Sequence, residues 1–176
     1  PDGDILASYD KIHRFDVQLS ATNAHRESRD FMAGDTALVA ALPEARLGLT
    51  ICYDVRFPHL HRDLAKAGAE ILAVPAAFNS VSGAAHWHVL LRARAIETGC
   101  FVIAPAQCGT HQDGRKTFGH SLIISPWGAI VAEAGDEPGV ITAELDLDDV
   151  AAARAKIPAL SHDMPYTLKI AASTKG

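Results

Sequence analysis

Three thiols, Cys52, Cys100 and Cys108, are the strongest nucleophiles this sequence offers, and their settings differ. Cys52 ends the run Arg46-Leu47-Gly48-Leu49-Thr50-Ile51 and is followed by a polar turn and Pro58, which opens a helix. A residue on such a strand-to-helix turn lies near a helix N-terminus. Unpaired backbone N–H groups and the helix dipole there favour a thiolate and can receive a developing oxyanion. The competing reading is a small buried hydrophobe, since free cysteine is among the most buried residue types. Cys100, inside Gly99-Cys100-Phe101-Val102-Ile103-Ala104, fits that second reading better. Cys108 sits beside Gly109 with no base or turn signal to mark it. Three cysteines without paired spacing make neither a disulfide framework nor a zinc knuckle, and a reducing cytoplasm is the natural compartment.

A base or a cation has to activate such a thiol. The nine histidines, His13, His25, His59, His61, His86, His88, His111, His120 and His162, leave a Cys–His pair open, but no spacing singles one out. Neither His-Glu-x-x-His nor Cys-x-x-Cys occurs, so no metal site is expected from the pattern. The 176 residues carry a formal charge of −5 without a basic stripe, which gives nucleic acid no electrostatic footprint. Apolar runs are interrupted by charge, Pro or Gly too often to span a bilayer, and no signal-peptide pattern is expected.

The elements that must hold these groups follow from periodicity. Strands are expected at residues 4–12, 36–42, 45–51, 71–74, 101–106, 121–125, 129–132 and 140–145, with a polar loop over 18–35 that can hold a short helix. Pro43-Glu44 and Pro126-Trp127-Gly128 read as turns between neighbouring strands. Helices are expected at 59–67, closed by Gly68, at 84–98, closed by Gly99, and at 148–156, stopped by Pro158. The all-apolar Ile71-Leu72-Ala73-Val74 reads as a strand buried on both faces. Helices alternating with strands early, and hairpins late, predict an α/β layered sandwich with a mixed sheet, residues 1–176 forming one domain.

Several segments together resemble the nitrilase, or carbon–nitrogen hydrolase, superfamily. Tyr9-Asp10-Lys11-Ile12-His13-Arg14-Phe15 is similar to its lysine motif, and Gly48-Leu49-Thr50-Ile51-Cys52-Tyr53-Asp54-Val55-Arg56-Phe57-Pro58 to its cysteine motif. The likeness continues through residues 68–79 and 85–97, Phe118-Gly119-His120-Ser121, and the helix before Ile157-Pro158, so it covers nearly the whole chain. Arg14 and Ala33 depart from it, as does the loop 21–24. The pattern is most similar to the Nit-type amidase branch, with omega-amidases and deaminated-glutathione amidases. Tyr53-Asp54 and Arg56 after the cysteine look amidase-like.

The resemblance implies a nitrilase-like four-layer αββα sandwich with mixed sheets and a cofactor-free hydrolase. Such an enzyme cleaves a small carboxylate-bearing amide through a Cys thioester and releases ammonia. It implies Cys52 as nucleophile, Lys11 beside the developing oxyanion with the backbone N–H of Tyr53 as second donor, and Glu27 placing the lysine and the attacking water. Arg56 is expected to meet a substrate carboxylate or to pair with Asp54, and Asn79 to face the pocket. A homodimer or larger homo-oligomer is implied as well. The family's general-base glutamate lies upstream of the lysine, and no residue here takes that role. The domain is therefore expected to be incomplete at its N-terminus and inactive as these 176 residues alone. The alternative is an inactive or truncated homologue serving as a binding module. The residues leave open which amide, or nitrile, is the substrate.

Overall fold

In the computed structural model, which describes residues 3–20, 23–112 and 114–171, ten strands and three α-helices follow one another along the chain. The strands are β1 (Asp16–Ser20), β2 (Asn23–Arg26), β3 (Leu38–Ala41), β4 (Arg46–Leu49), β5 (Ile71–Ala73), β6 (Phe101–Ala104), β7 (Cys108–Thr110), β8 (Lys116–Phe118), β9 (Leu122–Ile124) and β10 (Ile130–Glu133). The helices are α1 (Pro58–Lys66), α2 (Ser80–Thr98) and α3 (Asp148–Lys156). Six strands form one mixed sheet in the order β10-β9-β6-β5-β4-β3, parallel where α1 and α2 provide crossovers from β4 to β5 and from β5 to β6. The outer pairs are antiparallel hairpins joined by short turns. This is the α/β class with a mixed sheet. Of the four layers expected, the described residues form this sheet and the helical layer against it.

Register explains why one face carries the core. Gly48, Leu72, Val102 and Ile124 pair in sequence across β4, β5, β6 and β9 and lie on the helix-facing side. Leu72, Val102 and Ile124 are fully buried, together with Leu64, Trp87, Leu91 and Ala95 of the helices. A Cβ on Gly48 would stand 2.9 Å from Leu72 and 3.3 Å from Leu64, so glycine there lets α1 approach the sheet. The opposite face presents Leu49, Ala73 and Ile103, which are only half-buried. The expectation that residues 71–74 are buried on both faces therefore holds fully on the helix side alone.

Cations tie the helices together. The buried Arg94 of α2 donates to the Val55 carbonyl at 2.8 Å and to Glu97 at 2.6 Å. Arg154 of α3 reaches the carbonyls of Thr98, at the end of α2, and of Ala69, at 3.1 and 2.8 Å. A guanidinium at a helix C-terminus meets carbonyls that have no partner within the helix.

Three expectations need correction. Residues 4–12 and 140–145 form no strand, because no described strand lies alongside to complete a ladder. Alternation survives in the second segment, where Ile141, Ala143 and Leu145 are half-buried between exposed Thr142, Glu144 and Asp146. The loop 18–35 instead contains part of the β1–β2 hairpin, followed by the expected helical turn at Glu27–Arg29. The sequence departure at 21–24 falls partly outside the described residues. Helix α2 begins four residues earlier than expected, where the Asn79 side chain accepts from the Val81 amide at 2.9 Å and caps it.

His61 of α1 is fully buried, with Nδ1 against the Phe57 carbonyl at 3.1 Å and Nε2 without a partner among the described residues. Burial, with Arg94 nearby, pushes its pKa down from 6.5 to about 4. The unfolded chain then binds the extra proton between these values, so the stability held by neutral His61 is complete above about pH 6.5 and drains away toward pH 4. At ~1.4 kcal/mol per pH unit the loss approaches about 3 kcal/mol. His61→Leu removes the titration, and urea unfolding from pH 7 to pH 4 is expected to show a flatter stability profile than the parent. Parallel profiles would sink this assignment.

Candidate active site

Strand β4 aims the chain at the site and then reverses it. Cys52 follows at φ +49°, a left-handed conformation costly for any residue with a Cβ, and opens the helical turn Cys52–Arg56. The turn is clamped from three sides. The Cys52 amide donates to the Pro75 carbonyl at 2.9 Å, Arg94 holds the Val55 carbonyl, and Asp54 folds back onto the Ile51 amide at 2.9 Å. Strain at a nucleophile persists where the surroundings over-determine it, as here.

Asp54 is fully buried and does more than cap the turn. Its carboxylate accepts from the Tyr9 hydroxyl at 2.8 Å, the His13 amide at 3.0 Å and His13 Nδ1 at 2.8 Å. Tyr9 and His13 bracket Lys11, so a single carboxylate joins the lysine segment to the cysteine turn. Burial first, then the bond to Asp54, holds the Tyr9 phenol far above its ordinary range, which keeps it a donor at any physiological pH. The His13 ring stacks on Phe57 at 3.4 Å between centroids. The Gly34 amide donates to the Lys11 carbonyl at 2.9 Å, and a Cβ on Gly34 would collide with the Asp10 carbonyl at 2.2 Å.

Lys11 and Glu27 form an ion pair of 2.5 Å, and the same carboxylate oxygen accepts the Phe15 amide at 2.5 Å. Both side chains, with Cys52 and Tyr53, line a cavity of about 1010 Å³. Lys11, Glu27, Cys52, Tyr53 and Asn79 thus all line one cavity. The Asn79 carboxamide is also committed to capping α2. Arg56 is not on the cavity wall. Its guanidinium lies over the Phe78 and Tyr53 rings, 5.2 and 5.9 Å from their centroids, and meets His86 at 3.3 Å, not Asp54. The cavity's own guanidiniums are Arg26, from β2, and Arg115, from the turn before β8. Sequence reasoning missed both, because their hairpins are short and polar. Of the nine histidines His25 alone lines the cavity, which removes most of the Cys–His alternatives.

The surroundings of Cys52 work against the thiolate that a helix N-terminus favours. Burial raises the Cys52 pKa, the Lys11 charge and the Ala77 amide pull it down by less, and Glu27 and Asp54 push it further up. Cys100 is fully buried against the Ala69 carbonyl and plays the structural part read from its sequence.

Asp54→Asn replaces one acceptor with an NH2 group facing a donor in a buried site. We expect a loss of about 2–4 kcal/mol in denaturant unfolding, together with slower alkylation of Cys52 as the lysine segment loosens. A variant within about 0.5 kcal/mol of the parent, alkylated at the same rate, would show that the hub does not hold the site.

The carbon–nitrogen hydrolase family matches residues 1–155. The deaminated glutathione amidase of Synechocystis sp. is 49% identical over 164 residues, spanning 92% of this chain and 60% of that protein. The chain thus spans less than two thirds of this relative's length. The crystal structure of the C. elegans NitFhit protein superposes with a TM-score of 0.86 at 44% identity, over 92% of this chain and 40% of that one. An amidase from Nesterenkonia sp. AN1, solved with the acetamide moiety of fluoroacetamide covalently added at its active-site cysteine, matches with a TM-score of 0.72 at 30% identity. That match spans 89% of this chain and 56% of the other. This chain belongs to the carbon–nitrogen hydrolase family of the nitrilase superfamily, in its Nit-type branch.

Proposed function

We propose that this chain carries the nucleophile and the lysine of an amidase that cleaves small carboxylate-bearing amides. The observation that supports it most is Cys52, strained at φ +49°, on the same cavity wall as the Lys11–Glu27 pair. The thiol starts protonated, so a base has to take its proton as sulfur attacks the amide carbon. The C–S bond forms while the carbonyl electrons move to oxygen, where Lys11 and the Tyr53 amide supply positive charge. Collapse expels the nitrogen, protonated as ammonia, and leaves a thioester. Water then adds to the thioester carbon, sulfur leaves and recovers its proton, and the product is a carboxylic acid. Glu27 fixes Lys11 and has a second oxygen available to orient that water.

A carboxylate on the substrate is supported by Arg26 and Arg115 on the cavity wall, and by the deaminated glutathione amidase relatives. The same reading takes residues 1–176 as belonging to one hydrolase domain of a protein acting in the cytoplasm as a homodimer or larger assembly without a cofactor. Among the described residues no helix is long and apolar enough to cross a membrane.

Ammonia release from a panel of ω-amides by the intact gene product tests this directly. Release is expected to vanish in Cys52→Ala and to fall by at least about 100-fold in Lys11→Met. Arg26→Ala is expected to raise KM by roughly tenfold for carboxylate-bearing amides and little for uncharged ones, the weight of one charge-assisted contact. No release from parent or variant would favour the non-catalytic binding module instead.

A further inference from the structure

Outside the catalytic cavity, three side chains distant in sequence converge on one oxygen. His88 of α2 places Nε2 2.8 Å from Glu133 Oε1, and His120, in the loop before β9, places Nδ1 3.1 Å from the same atom. One ligand atom from each of the three lies within 4.8 Å of the other two. None of the three lines the catalytic cavity.

The two separations are those of hydrogen bonds, and they also lie close to the spacing that a bound metal would set. In a tetrahedral zinc site with bonds of about 2.0–2.1 Å, neighbouring ligand atoms stand about 3.3 Å apart. The two short edges here need only open by a few tenths of an ångström to admit an ion at their centre. The donor set, two imidazoles and one carboxylate, is that of a zinc-class divalent ion with a fourth position left for water. Side-chain exposures of 30%, 30% and 38% leave a path from solvent.

The backbone is built to hold this arrangement. Among the described residues His120 is the second non-glycine at positive φ, +54°, and it is pinned at both ends. Its amide donates to the Gly135 carbonyl at 2.9 Å, and its carbonyl accepts from the buried Trp87 indole at 2.8 Å. Trp87 precedes His88, so one turn of α2 fixes the main chain of the second ligand while presenting the first. Phe118 stacks on the His120 ring at 4.3 Å and sets its plane. Strain at a residue whose side chain joins a ligand cluster is the kind that function retains.

We propose that His88, His120 and Glu133 bind one divalent transition-metal ion of the zinc class, which staples α2 to the β9–β10 hairpin. The intact protein, stripped with chelator, is titrated with Zn2+ in equilibrium dialysis and followed by thermal unfolding. Co2+ is used as a spectroscopic probe. One equivalent of Zn2+ and a raised Tm are expected, with d–d absorption from Co2+ and no sulfur charge-transfer band, which sets this site apart from the three thiols. Glu133→Gln keeps the strand and its hydrogen-bonding shape, and His120→Asn tolerates the left-handed backbone. Each is expected to weaken binding by about 10–100-fold and to abolish the Tm rise. A dissociation constant above about 100 µM in the parent, equal binding in both variants, or a thiolate band with Co2+ would overturn the site.

Discussion

A buried carboxylate is tolerable only where donors surround it, and the architecture of this site follows from meeting that demand at Asp54. Four donors converge on it: the Ile51 amide, the Tyr9 hydroxyl, and the amide and ring of His13. Two of these segments carry the residues of the proposed chemistry, one ending at Cys52 and the other centred on Lys11. They are 41 residues apart and share no strand pairing, so the sheet alone does not fix their distance. Removing any donor leaves the charge underpaired, which makes the joint closer to all-or-none than graded. This is how a loop without regular structure, residues 9–15, comes to be as well placed as a strand.

The sheet contributes the other half. A parallel β4–β5–β6 core requires helical crossovers on one face, and α1 and α2 provide them. The nucleophile stands where the first crossover begins, just beyond the C-terminal end of β4, where ligands of open α/β sheets tend to lie. Gly48 allows α1 to pack closely, and Arg94 of α2 reaches past it to the carbonyl of Val55. Core packing and the geometry of the reacting thiol are thus coupled through the same two helices.

Long periodic elements were legible in the sequence because their signals are local. The 3.6-residue pattern and Gly68 delimit α1, and Asp148 through Lys156 form α3 at the expected bounds. The hairpins β1–β2 and β7–β8 were not legible. Their strands are three to five residues long, polar and partly exposed, so no alternation rises above the loop background. Residues 4–12 and 140–145 failed for the opposite reason, since their pattern asks for a partner strand that the described residues do not supply. At the site, Lys11, Glu27 and Cys52 were found by motif, whereas the departure of Arg56 from the cavity depends on two aromatic faces that no linear pattern encodes. Asp54 was visible only as a possible partner of Arg56. Its role emerges once Tyr9 and His13 are folded over it.

The charges explain why the thiol rests protonated beside a lysine. Lys11 is already neutralised by Glu27 at 2.5 Å, and Asp54 adds a second negative charge behind the turn. Burial disfavours a bare thiolate, and one shared cation does not compensate for it. The same arrangement suits catalysis. On the proposed mechanism, negative charge gathers on the substrate oxygen beside Lys11 as sulfur attacks, so the lysine would stabilise the transition state more than the thiolate. On that mechanism the lysine's charge counts most at the point of reaction, where it would raise turnover, and least before it.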